Sequence, residues 1–164
     1  MKIQSLIIAA GFVFAAATGT VMAQSAAEST MVSDPYVRAV PPGQPNSASF
    51  LTLMNNSSEA HSLVGAESPA AKVVELHTHT MENGMMQMRQ VEKIDLPAGE
   101  TVSLQPGGLH IMMIELTQEL VPGQDVDITL KFEDGSEAQV KAPVKKLQMK
   151  MMKKDDGAMK HMKH

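Results

Sequence analysis

Residues 73–88 read VVELHTHTMENGMMQM, and this stretch decides the fold. Val74, Leu76, Thr78 and Thr80 fall on one side of an extended chain, and Val73, Glu75, His77, His79 and Met81 on the other. That is the two-residue period of a β-strand. Asn83-Gly84 follows, the strongest short hairpin signal, because both residues tolerate the positive φ that a tight primed turn requires. A two-residue loop there pairs Glu82 with Met85, Met81 with Met86 and His79 with Met88. His77 then lies diagonally from Met88 on the same face, within reach for long side chains.

The same pattern extends in both directions. Short alternating segments are expected as strands at 34–39, 48–55, 61–66, 91–96, 101–104, 109–116, 126–132 and 138–144. They are separated by turn-rich runs such as Val40-Pro41-Pro42-Gly43-Gln44-Pro45-Asn46, Pro97-Ala98-Gly99-Glu100, Pro106-Gly107-Gly108 and Asp134-Gly135. No segment sustains a helical period. The expectation is an all-β domain over residues 34–146, an antiparallel β-sandwich or barrel.

The flanks read differently. Lys2, an apolar stretch from Ile3 to Val21 and small residues at Val21-Met22-Ala23 describe a signal peptide over 1–23, cleaved before Gln24. Gly11, Thr18, Gly19 and Thr20 dilute it below the run of about 20 apolar residues that a membrane anchor needs. Export to the periplasm is expected, with no stable membrane insertion after cleavage. Residues 24–33 (QSAAESTMVS) are small and polar and read as a flexible leader. Residues 147–164 (LQMKMMKKDDGAMKHMKH) are rich in Lys, Met and His without apolar periodicity, and read as a disordered tail.

Composition narrows the chemistry. The chain has 164 residues, a formal net charge of −4 and no basic patch in its body, which argues against nucleic acid as a partner. It has no cysteine and fifteen methionines, most of them in two clusters, Met81–Met113 and Met149–Met162. Methionine usually fills irregular core gaps, and Met113 is expected to do so, alternating with His110 and Met112. Clustering needs another cause.

His77, Met88, His110 and Met112 follow the spacing His-x10-Met-x21-His-x-Met. Thioethers are soft and uncharged, and imidazole is borderline. A set with two of each, lacking thiolate and carboxylate, suits Cu(I) far better than Zn²⁺, Mg²⁺ or Ca²⁺. His110 and Met112 lie two apart on a strand, so both leave one face. Docking that strand against the 73–88 hairpin completes a four-ligand cage. His79, Met81 and Met86 are auxiliary candidates. Direct hairpin pairing leaves open whether His77 or His79 is the first ligand. In the tail, Met149, Met151, Met152, Met159 and Met162 offer thioethers for Cu(I), and His161 and His164 offer imidazoles for Cu(II).

With those residues in view, the chain resembles the PCuAC family of periplasmic copper chaperones over about Asp34–Lys145. The resemblance rests on the ligand spacing together with Tyr36-Val37-Arg38-Ala39, Pro41 to Asn46, Met81-Glu82-Asn83-Gly84, Leu96-Pro97-Ala98-Gly99 and Pro106 to Met112. It implies a cupredoxin-like Greek-key β-barrel, Cu(I) at His77, Met88, His110 and Met112, and delivery of copper towards the CuA centre of cytochrome c oxidase. The acceptor would be subunit II or another copper chaperone. His79 departs from the family, whose members often carry Met there. A Met/His tail occurs in part of the family and is viewed as a second copper site.

Function classes then separate. A blue-copper electron carrier needs a Cys thiolate, and the chain has none. An enzyme needs an open coordination position or an acid–base pair, and neither is readable. The expectation is a non-enzymatic copper chaperone, with periplasmic copper storage or detoxification as the alternative.

Overall fold

The computed structural model describes residues 24–146. The expected signal peptide (1–23) and Met/His tail (147–164) lie outside the described residues. One short helix, α1 (Ala26–Ser29), precedes ten strands: β1 (Thr30–Arg38), β2 (Ser47–Asn55), β3 (His61–Glu67), β4 (Ala71–Glu82), β5 (Met85–Gln90), β6 (Ile94–Leu96), β7 (Thr101–Leu104), β8 (His110–Leu116), β9 (Asp125–Phe132) and β10 (Glu137–Lys145). Among the described residues no helix is long and apolar enough to cross a membrane.

The strands hydrogen-bond in the order β5-β4-β8-β2-β1-β10-β9-β3-β6, with β7 added to β2. Leu51 and Leu53 of β2, and Ile111 and Met113 of β8, share one core with Leu63 of β3, Leu96 of β6, and Ile128, Leu130 and Phe132 of β9. All nine are almost wholly buried. At about 25 cal/mol per Å² of apolar surface removed from water, this shared core is the main stabilising term for a cysteine-free chain.

The hairpin forms in the expected register, His79 opposite Met88 and Met81 opposite Met86. Asn83 (φ 51°) and Gly84 (φ 77°) both occupy the left-handed region that a two-residue primed turn needs.

Two expectations are corrected. The sheet is mixed rather than purely antiparallel, because β1 runs parallel to β10, with Val37 opposite Val144 and Arg38 opposite Lys145. A register shift between Ser33 and Tyr36 accompanies this pairing. Pro35, which has no N–H to donate, lies inside the shift beside Asp34 at φ 50°.

The leader is also ordered, as α1 and the first part of β1. Ser25 and Glu28 close a reciprocal capping box. A four-residue helix is unstable alone, and this one is tied to the β9–β10 turn. The Ala26 amide donates to Asp134 Oδ2 at 2.8 Å and the Ala27 amide to Ser136 Oγ at 3.0 Å, while Ala26 itself is fully buried.

The Ala26 amide, with the hydroxyl and amide of Ser136, holds the Asp134 carboxyl at about 2. The folded chain therefore releases this proton more readily than the unfolded chain. The resulting stability is complete above the ordinary aspartate range and is lost as pH falls towards 2. Asp134→Ala is expected to flatten that part of the acid limb and to expose the Ala26 and Ala27 amides. Urea unfolding across this pH range, with amide exchange, measures both, and an unchanged acid limb would reject the link.

Candidate metal centre

Three neighbouring strands, β5, β4 and β8, build the site. In the β4–β8 ladder His77 stands directly opposite His110, and Glu75 opposite Met112. In the β4–β5 ladder His79 stands opposite Met88, and His77 opposite Gln90. Directly opposed residues share a face, and residues two apart keep it. Glu75, His77, His79, Met81, Met86, Met88, His110 and Met112 therefore occupy one face of the sheet. Leu76, Ile111 and Met113 are buried on the other, so Met113 is core, as its alternation implies.

The three imidazoles cluster. Ring centroids lie 5.8 Å apart for His77 and His110, and 5.1 Å for His79 and His110. Phe50 of β2 lies 6.3 Å from the His110 ring and 5.1 Å from Tyr36, giving an aromatic wall behind it. His110 is only 2 % exposed. That burial pushes its pKa below the ordinary histidine value; the Gly108 hydrogen bond opposes the shift, and His79, His77 and Arg38 add to it. His110 is thus neutral at pH 7, the form that binds metal.

Hydrogen bonds assign the roles of individual nitrogens. His110 Nδ1 lies 2.9 Å from the Gly108 carbonyl, an acceptor only, so Nδ1–H donates and Nε2 keeps its lone pair. His77 Nε2 lies 2.7 Å from Glu75 Oε2; in the neutral ring, the form that binds metal, Nε2–H donates to that carboxylate and Nδ1 keeps its lone pair. The two free nitrogens, His77 Nδ1 and His110 Nε2, are buried without a hydrogen-bond partner. Such orphaned atoms cost about 1–3 kcal/mol each. Two of them, on imidazoles packed side by side, fit a cation that is not hydrogen-bonded but coordinated. His79 Nδ1 makes only a long 3.4 Å approach to Gly108 O.

Among the described residues no three histidine or carboxylate side chains are arranged to hold a metal ion. Met88 and Met112 share the imidazole face, Met88 at 47 % exposure and Met112 half-buried. Met81 and Met86 continue that face towards the hairpin tip. A wide groove between residues 38–45 and 116–122 has no histidine or methionine in its lining and adds no soft donor. Met149, Met151, Met152, Met159, His161, Met162 and His164 lie outside the described residues.

Sequence reasoning missed Glu75, Gly108 and Phe50. Glu75 carried a readable signal, since it lies two residues before His77 on the same strand face. Gly108 and Phe50 act from a loop and another strand, and no local spacing marks them.

The fold is that of PCuAC domains. The copper-bound PCuAC domain from PmoF2 superposes with a TM-score of 0.63 over 76 % of this chain and 99 % of its own, at 22 % identity. The chain belongs to the LpqE-like family, whose model matches residues 30–144. Lxx21020 of Leifsonia xyli subsp. xyli, named as a lipoprotein, is 38 % identical over 120 residues, covering 73 % of this chain and 71 % of the relative. DR1885 from Deinococcus radiodurans, solved in solution as its CuI form, is 39 % identical over 73 % of this chain and 78 % of its own, with a TM-score of 0.59.

Proposed function

We propose that this protein is an exported, non-enzymatic copper chaperone that holds Cu(I) through His77, Met88, His110 and Met112. The observation that carries this reading is the pair of buried, unpartnered nitrogens, His77 Nδ1 and His110 Nε2, beside two thioethers on one sheet face. The CuI form of DR1885, at 39 % identity, supports the choice of metal. The lipoprotein naming of Lxx21020 supports export.

Each residue has a separable task. Glu75 fixes the His77 tautomer and, as a carboxylate, offsets part of the ion's charge. Gly108 fixes His110 in the same way. Phe50 shields the imidazoles from water and holds His110 neutral. Neutral thioethers bind Cu(I) without a strong electrostatic trap, so an acceptor's ligands replace them one at a time. The exposed Met88 is where such an exchange begins. The acceptor is a copper-receiving protein, cytochrome c oxidase subunit II or another copper chaperone, and the exposure of Met88 favours delivery over storage.

The test is an anaerobic Cu(I) titration of the chain with and without residues 147–164, with X-ray absorption to count neighbours. The shorter chain is expected to bind its first Cu(I) through two sulfurs and two nitrogens, and the longer chain one ion more than the shorter, through its Met/His tail. An absorption edge showing only nitrogen and oxygen neighbours in the shorter chain would overturn the site. Equal stoichiometry in the two chains would remove the tail as a copper site.

A further inference from the structure

Strand β5 buries none of its six residues, so its methionines do not serve the core. Met86 is 60 % exposed, Met88 47 %, and Met81 across the ladder 66 %. An edge strand with exposed large apolar side chains is an association hazard, so its retention calls for a chemical reason. The two faces of the hairpin are segregated. One carries Thr78, Thr80, Glu82, Met85, Gln87 and Arg89, with Arg89 paired to Glu82. The other carries His79, Met81, Met86 and Met88 and runs straight into the His77–His110 pair.

We propose that this face is a second Cu(I) site, built from His79, Met81 and Met86, which shares Met88 with the inner site and passes the ion in and out. The proposal rests on the inner-site reading above. Opposed residues in an antiparallel pair have Cβ atoms about 4.5–5.5 Å apart, and thioether arms are long enough for Met81 and Met86 to meet on one ion. The next rung, His79 and Met88, is two residues along, about 7 Å. His79 completes the outer set, and its ring packs against His110, so the two sites are contiguous. The step is ligand exchange: a Cu–S or Cu–N bond to the receiving rung forms as one to the donating rung breaks. The ion stays Cu(I), and no electron is transferred. Apolarity alone does not explain the patch, because its apolar members are all methionine and a histidine stands among them.

The test uses the full chain with methionine methyls labelled for NMR, titrated anaerobically with Cu(I) and separately with Ag(I), a redox-inert substitute. The first equivalent is expected to move the Met88 and Met112 methyls, and further metal to move Met81 and Met86 together. The double variant Met81→Leu/Met86→Leu keeps the exposed apolar surface and removes both sulfurs. It is expected to retain the first shifts and to release Cu(I) to a competing chelator several-fold more slowly. Met81 and Met86 methyls that stay fixed at saturation, or wild-type release from the double variant, would overturn the outer site and leave the patch as an apolar docking face. Movement of Met81 and Met86 without Met88 and Met112 would instead sink the inner-site reading while supporting an outer thioether site.

Discussion

Replacing His110 with alanine is expected to weaken Cu(I) binding by the β-domain by at least about a hundredfold, the upper end of the loss from removing a mere orienting partner. His110 is buried against Phe50, holds its Nδ1 proton on Gly108 and leaves Nε2 free. It is therefore pre-set as a neutral donor. Stability should change much less. Losing the ring leaves a cavity, which destabilises, but it also removes an orphaned nitrogen that cost about 1–3 kcal/mol. Chelator competition on a chain ending at Lys146 measures the affinity free of the tail, and urea unfolding reports the stability. An unchanged affinity would reject His110 as a donor.

The second large effect separates two neighbouring histidines. His77→Ala should cost tight Cu(I) binding, and should leave the Glu75 carboxylate without its imidazole partner. His79→Ala should leave inner-site affinity close to that of the parent. The basis is the buried lone pair of His77 Nδ1, against the long approach of His79 to Gly108. Hairpin pairing alone favours His79, which stands directly opposite Met88. The reverse outcome, with His79→Ala the damaging change, would make His79 the first ligand.

Local features were legible wherever the physics is local. The Asn83-Gly84 turn set the β4–β5 register because few other dipeptides accept two left-handed residues in succession. The strand at Thr101–Leu104 was bounded by Pro97-Ala98-Gly99-Glu100 and Pro106-Gly107-Gly108, whose breakers leave little freedom. The ordered leader was missed because its anchor is remote: Asp134 and Ser136 hold Ala26 and Ala27 from the far end of the chain. The Ser25–Glu28 capping box closes only a single helical turn, which has no stability of its own. The parallel pairing of β1 with β10 left no trace, since either direction of pairing uses the same alternation of side chains. In the site, the donor types and spacing were readable. The selection of individual nitrogens was not, because it depends on Glu75 and Gly108 acting through the histidines they touch.

The placement of β1 also constrains when the domain is able to fold. Its strand lies between β2 and β10, and its last residues find their second partner only at Val144 and Lys145. Such pairings demand their loop-closure entropy before any contact rewards them. A nascent chain that has emerged only as far as β9 lacks one flank of a central strand and the turn that anchors α1. It already carries the apolar residues of β2, β3, β6, β8 and β9, but not the strand that closes the sheet around β1. The last strand made is therefore the one that ties the first strand and its helix to the rest of the sheet.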